Sequence, residues 1–176
     1  NIPNVYKSNP AFHDKDYAIG YAKDYQNINY SYHPYVGWII DEFKSDFINI
    51  DKNGRRIVKS NNVNNSNSIN FFGGSSIWGV GSSDYDSIPS IIGEKFKKFN
   101  VNVYATPGYT VRQNLSLLIN KINNKKYSNG DIIIFFDGVN DYSVSCKDSL
   151  ILNSNGVKDK ISLALKDFQY KKNMTG

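Results

Sequence analysis

From residue 69 onward, apolar positions alternate between the period of a β-strand and the period of an α-helix. Three short apolar runs have the length of strands: 69–72, 101–105 and 131–136. Three longer segments repeat apolar residues every three or four positions and predict helices: 87–99, 111–122 and 157–168. This alternating order predicts a parallel sheet with helices on its faces, which is an α/β fold.

The apolar positions also predict which faces are buried. In 87–99 they are Ile88, Ile91, Ile92, Phe96 and Phe99, with Ser87 as the helix cap and Pro89 in the first turn. In 111–122 one helical face carries Val111, Leu115, Leu118, Ile119 and Ile122. The run 131–136 is apolar at every position after Asp131, which predicts a strand buried on both faces.

The first 68 residues have a different pattern. Residues 1–35 are polar and rich in tyrosine, and they predict an extended segment with one short helix near 17–25. Residues 38–40, 47–50 and 56–58 have strand character, and Asn53-Gly54 predicts a hairpin turn between the last two. We therefore interpret 1–68 as an N-terminal extension whose short strands pack on a core domain formed by 69–176.

Composition narrows the partners that the chain is expected to have. The 176 residues suit one domain, and no apolar run approaches the roughly 20 residues that cross a bilayer. Because the chain begins at Asn1, an upstream membrane anchor stays an open alternative. The net charge is +5, but the lysines are scattered rather than clustered, which argues against nucleic acid as a partner. The sequence also predicts no intrachain disulfide and no zinc site, since Cys146 is the only cysteine and has no histidine near it, and His13 and His33 are 20 residues apart.

Three polar motifs follow the three core strands directly. They are Gly73-Gly74-Ser75-Ser76, Pro107-Gly108-Tyr109-Thr110 and Gly138-Val139-Asn140-Asp141. Each motif alone is typical of a turn. Ligands of parallel α/β sheets bind at the carboxyl ends of the strands, however, so the shared position nominates all three motifs as a site.

Together the motifs resemble the SGNH/GDSL hydrolases, in particular a bacterial branch with FGGS, PGYT and DGVND blocks. The matching pieces are Gly37-Trp38, 49–55, 72–81, 88–90, 107–113 and 137–141. The resemblance implies a three-layer α/β/α, flavodoxin-like fold and a serine esterase or deacylase that needs no cofactor and no metal. It implies Ser75 as the nucleophile and an oxyanion hole formed by the amides of Ser75 and Gly108 and the side chain of Asn140. The expected substrate is a small-molecule or carbohydrate ester, such as an acylated surface polysaccharide, or a lipid ester.

One block of the family pattern is missing. SGNH hydrolases complete the site with Asp-x-x-His near the C-terminus, and no histidine follows His33 in this sequence. Three interpretations stay open: a C-terminally incomplete core holding the first three β/α units, His33 as the base, or a domain that binds a glycan or ester without turnover. A nucleotide- or flavin-binding domain is disfavoured, since the first loop lacks Gly-x-Gly-x-x-Gly and a P-loop lysine.

Overall fold

A computed structural model of the protein describes residues 15–58, 66–124 and 127–147. Its elements are α1 (Lys15–Gln26), β1 (Tyr30–His33), β2 (Gly37–Ile40), β3 (Ser68–Gly73), α2 (Ser75–Trp78), α3 (Ile88–Lys95), β4 (Asn100–Val103), α4 (Val111–Asn123), β5 (Ile132–Phe136) and α5 (Val139–Lys147). The chain divides into two compact units, Asn1–Asp137 and Gly138–Gly176. The predicted helix at 157–168 and the side chain of Cys146 lie outside the described residues.

Three strands of the first unit form a parallel sheet in the order β4-β3-β5. β3 is the central strand, and its Ile69 lies opposite Val101 on one side and Ile132 on the other. The three strands that the apolar runs predict are therefore confirmed, and so is the α/β class. Helices flank this sheet, as the alternating pattern requires.

Successive residues of β3 point to opposite faces of the sheet, and each face packs against its own hydrophobic cluster. Phe71 packs in the larger cluster, which also holds Trp78 of α2 and Tyr21 of α1. Phe72 packs in the smaller cluster with Leu117 of α4. Both phenylalanines are fully buried. Each contributes about 2 kcal/mol by burial, so β3 anchors both layers that flank it.

The N-terminal segment confirms the predicted helix and the first predicted strand. α1 covers the expected 17–25, and β2 pairs with β1 in an antiparallel hairpin. The strands predicted at 47–50 and 56–58 are wrong, because Ile50 makes only single bridges, to Phe43 and to Arg56. The turn between them does form, with the Gly54 amide donating to the Asp51 carbonyl at 2.9 Å.

Helix α3 begins as predicted, but of the apolar face predicted for 87–99 only Ile92 and Phe99 pack against the larger core cluster. The Ser87 side chain accepts a hydrogen bond from the Ser90 amide and caps the helix. The helix ends at Lys95, four residues before the predicted end, and its buried residues are Pro89, Ser90 and Gly93. Ile88, Ile91 and Phe96 of the predicted apolar face are about half-exposed. Small side chains on the buried face let this helix lie close to the rest of the unit.

The predicted burial of α4 and β5 is also wrong. Most of the predicted apolar face of α4 is half-exposed, namely Val111, Leu115, Ile119 and Ile122. α4 instead buries Gln113, Asn114 and Leu117. In the described sheet β5 pairs with β3 alone, and both of its faces are partly exposed. A strand with one described neighbour has fewer residues packed over it than a central strand such as β3.

Within the described residues, no helix combines the length and apolar composition that a bilayer crossing requires.

Candidate active site

Ser75 lies at the carboxyl end of the central strand. β3 ends at Gly73, Gly74 caps the next turn, and Ser75 is the first residue of α2. The carbonyl of Gly74 accepts from the Trp78 amide at 3.0 Å, and the carbonyl of Ser75 accepts from the amides of Gly79 and Val80. The first amides of a helical turn have no acceptor inside that turn. The partly exposed Ser75 therefore combines a hydroxyl with a backbone amide that has no intrahelical acceptor.

The second predicted motif lies at the same edge of the sheet. Beyond β4 the chain continues alongside β3, with the Thr106 amide donating to the Gly73 carbonyl at 3.2 Å. Thr106 to Tyr109 then form a tight turn closed by a hydrogen bond of 3.1 Å from the Tyr109 amide to the Thr106 carbonyl. Gly108 has φ +86°, so proline and glycine occupy the central positions that a type II turn favours. Ser75 lies two residues after Gly73, and Gly108 lies two residues after Thr106, so both follow this hydrogen bond at the same distance along the chain.

The third motif belongs to the second unit. Gly138 has φ +116°, and its carbonyl accepts from the Tyr142 amide at 2.9 Å in the first turn of α5. Asn140 is the second residue of that helix and is partly buried. Within the first unit, β5 ends at Phe136, which lies opposite Gly73 of β3. The motif thus begins two residues after β5 ends, as the sequence predicts.

A buried ion pair holds the loop that follows Ser75, and the sequence interpretation did not identify it. Arg56 and Asp84 are 3% and 5% exposed, and Arg56 Nε lies 3.0 Å from Asp84 Oδ1. Arg56 Nη1 donates to the carbonyls of Trp78 at 2.8 Å and Gly79 at 2.6 Å. Its Nη2 donates to the Ser82 carbonyl. One guanidinium therefore ties the end of α2 to the loop beyond it.

Other contacts complete this support. Asn49 Nδ2 donates to Asp84 Oδ2 at 2.8 Å, so both carboxylate oxygens of Asp84 are engaged. From α1, the Tyr17 hydroxyl donates to the Gly81 carbonyl at 3.0 Å, and the Tyr21 hydroxyl accepts from the Gly81 amide at 2.8 Å. The nearest signal in the sequence was the matched piece 49–55, which includes Asn49 and stops one residue before Arg56.

The Gly108 turn is supported by neutral hydrogen bonds to the β1–β2 hairpin. The buried Tyr109 hydroxyl donates to the Trp38 carbonyl, and Gln113 Nε2 donates to the Val36 carbonyl at 2.9 Å. Burial raises the pKa of Tyr109 well above its usual range, so the phenol stays a protonated donor at neutral pH. Thr110 and Gln113 also form a capping box that begins α4. The Gly37-Trp38 piece of the resemblance thus serves to hold the PGYT piece.

The first turn of α4 also contacts the end of β5. Asn114 is fully buried, and its Nδ2 donates to Asp137 Oδ1 at 2.7 Å. Gln113 and Asn114 are adjacent in sequence but bind different parts of the unit. Gln113 binds the β1–β2 hairpin, and Asn114 binds Asp137 directly after β5. These two bonds explain why polar residues occupy the buried face of α4.

His33 was the alternative base and lies at the tip of the hairpin. It ends β1 opposite Gly37, and its Nδ1 accepts from the Tyr35 amide at 3.3 Å. Partial burial lowers the pKa of His33, and the positive charge of Lys121 lowers this pKa further. Lys121 follows Val111 by ten residues, which is about 15 Å along a helix axis. The charge that acts on His33 therefore belongs to the end of α4 farthest from Gly108.

The part of the chain that the structure describes contains no cluster of three histidine, cysteine or acidic residues that could hold a metal ion.

In comparisons with known proteins, no family model matches the chain, and no curated protein matches it. Ser75, Gly108 and Asn140 remain predicted site residues.

Proposed function

We propose that this chain carries a serine ester hydrolase site of the SGNH/GDSL type, with Ser75 as the nucleophile. Ser75 Oγ attacks the carbonyl carbon of an ester, and the amides of Ser75 and Gly108 donate to the oxyanion. The C–O bond to the alcohol then breaks, the proton lost by the Ser75 hydroxyl ends on the leaving oxygen, and the alcohol departs while an acyl-serine remains. Water attacks the acyl-serine and releases the acid, which restores the Ser75 hydroxyl.

The observation that carries the proposal is the hydrogen bond between the Thr106 amide and the Gly73 carbonyl. It aligns the two loops that follow neighbouring parallel strands, so a serine hydroxyl and a glycine turn lie at one sheet edge. The strand order β4-β3-β5 also supports it. It corresponds to the order 2-1-3 that begins a flavodoxin-like sheet, in which ligands bind where the order reverses, beside the first strand.

The rate acceleration would come mainly from the oxyanion donors. Removing one such donor costs a factor of about 100 to 1,000 in kcat in well-studied hydrolases. Gly108 suits this role because it is exposed and has no side chain to cover its amide. By the resemblance, Asn140 supplies a third donor through its side-chain amide, which is neutral at all working pH values.

A second candidate is a domain that binds an ester or glycan without turnover. Within these 176 residues no histidine follows His33, whereas the family takes the proton of the serine with the histidine of Asp-x-x-His. Without that base, attack by Ser75 would be slow. The two candidates therefore differ in whether Ser75 becomes acylated at all.

The test is acylation by p-nitrophenyl acetate, followed by mass spectrometry of the intact chain and its peptides. We expect one acetyl group on the peptide that contains Ser75, with release of p-nitrophenol. The Ser75→Ala variant should lose both signals. Ser76→Ala is the matched control, because Ser76 is exposed and lies in the same helical turn.

Acetylation that persists unchanged in Ser75→Ala would refute the assignment of the nucleophile. A chain that binds acetylated sugars but never acquires the acetyl group would favour the binding domain. If Ser75 becomes acetylated but the acetyl group is not released, Ser75 acts as the nucleophile and these 176 residues supply no effective base for deacylation. Addition of imidazole would then be expected to accelerate p-nitrophenol release beyond the rate measured with Ser75→Ala.

A further inference from the structure

We infer that Arg56 is a positioning residue for Ser75. Its guanidinium binds the carbonyls at the C-terminal end of α2, the single helical turn whose first residue is Ser75. Asp84 supplies the compensating charge. This inference rests on the proposed function for its kinetic consequence, while its structural consequence is testable in a chain without activity.

The turn needs outside support because it is very short. α2 spans Ser75–Trp78, and a first helical turn fixes several backbone dihedrals in return for one hydrogen bond. The Gly79 and Val80 amides both donate to the Ser75 carbonyl. Arg56 engages the carbonyls of Trp78 and Gly79 at the same end. Displacing the guanidinium would therefore loosen the peptide groups that fix the backbone of Ser75.

An arginine suits this position better than a lysine. Four N–H···O bonds leave its planar head in different directions, to Asp84, Trp78, Gly79 and Ser82. The same head lies 4.4 Å from the centre of the Trp78 ring, which adds a cation–π contact. A lysine ammonium is a point charge with three donors and cannot span these acceptors.

Gly79 makes the approach of Arg56 feasible. A β-carbon at residue 79 would lie 2.9 Å from Arg56 Nη1, and Gly79 has φ +87°. Any other residue would press on the guanidinium and strain the backbone. The glycine of the Trp78-Gly79 pair is thus explained by the close approach of Arg56.

The test compares Arg56→Lys with Arg55→Lys. Both variants keep the charge, and Arg55 contacts Asp51 and Asn102 rather than the loop after Ser75. A displacement of about 1 Å in a reacting group can cost a factor of about 100. We therefore expect Arg56→Lys to lower kcat for p-nitrophenyl acetate by about 100-fold with KM nearly unchanged. Arg55→Lys should stay within about threefold.

Amide hydrogen exchange provides the readout that does not depend on activity. In Arg56→Lys the amides of Gly79 and Val80 should exchange at least about tenfold faster, while the amide of Tyr104, which donates to the Phe71 carbonyl of β3, keeps its protection. Asn49→Ala is a milder second variant, because it leaves the Arg56–Asp84 ion pair in place and removes the hydrogen bond from the Asn49 amide to Asp84, together with two bonds to Ser45. Asn49→Ala should show the same increase in exchange to a smaller extent. It therefore keeps the inference testable if Arg56→Lys fails to fold.

The inference is overturned if Gly79 and Val80 keep their protection in the folded variants, or if Arg55→Lys loses as much kcat as Arg56→Lys. If the unmodified chain never acetylates Ser75, the proposed function fails. The exchange experiment then still decides whether Arg56 holds the turn.

Discussion

The loops that carry Ser75 and Gly108 lie at the same sheet edge and are supported by different kinds of interaction. A buried ion pair, Arg56–Asp84, holds the Ser75 loop from inside the unit. Neutral hydrogen bonds from Tyr109 and Gln113 hold the Gly108 turn to the β1–β2 hairpin. The loss of one partner of a buried ion pair leaves an uncompensated charge, whereas the loss of a neutral bond leaves one unsatisfied carbonyl. The Ser75 loop should therefore tolerate substitution less well.

The largest effect is expected for Asp84→Ala. It leaves the Arg56 guanidinium buried without its counter-charge, which should lower the free energy of unfolding by about 3–5 kcal/mol. Urea denaturation followed by circular dichroism measures this loss. The control is Glu42→Ala, because the Glu42–Lys44 pair is exposed and is expected to contribute less than about 1 kcal/mol. Equal losses in the two variants would show that the buried pair has no special role.

A pair of glycine substitutions sharpens the comparison. Gly79 and Gly108 have nearly the same positive φ, +87° and +86°, so alanine at either position carries a similar backbone cost of about 1 kcal/mol. A β-carbon at residue 79 would lie 2.9 Å from Arg56 Nη1, whereas at residue 108 its nearest neighbour is Trp38 Cζ2 at 3.8 Å. Gly79→Ala should therefore lose about 1–3 kcal/mol more than Gly108→Ala in the same denaturation experiment. A larger loss at residue 108 would contradict the difference in available space.

The smallest effect is expected for Tyr109→Phe. This variant keeps the buried ring and removes the donor to the Trp38 carbonyl, at a cost of about 1–2 kcal/mol. Tyr32→Phe, on an exposed ring, should change stability by less than about 0.5 kcal/mol. If Tyr109→Phe destabilised the chain as much as Asp84→Ala, the contrast between charged and neutral support would be wrong.

Much of the chain could be predicted locally. The runs 69–72, 101–105 and 131–136 are strands because their apolar and β-branched side chains suit that conformation wherever they lie. Ser87 and Pro89 begin α3 for equally local reasons, since a hydroxyl at the cap and a proline in the first turn both favour a helix start. The turn before α4 likewise follows from the Pro107-Gly108 pair.

Burial was harder to predict, because it depends on what packs against each face. The spacing of Val111, Leu115 and Ile119 is helical, but these side chains are half-exposed, and the buried face of α4 carries Gln113 and Asn114. The carbonyl of Val36 and the carboxylate of Asp137 bind these two side chains from segments far away in sequence. A pattern based on hydrophobicity alone assigns such polar residues to the surface.

The sequence by itself determined the strands of the sheet and the positions of Ser75, Gly108 and Asn140 after those strands. These features depend on neighbours within a few positions, which hydrophobic period and turn chemistry describe well. Only the tertiary structure decided that Arg56 meets Asp84, 28 residues away, and that Arg56 binds the carbonyls at the end of the turn that begins at Ser75. The reason is physical: a buried charge is stable only where the fold brings its counter-charge and hydrogen-bond acceptors, and no local pattern specifies that meeting.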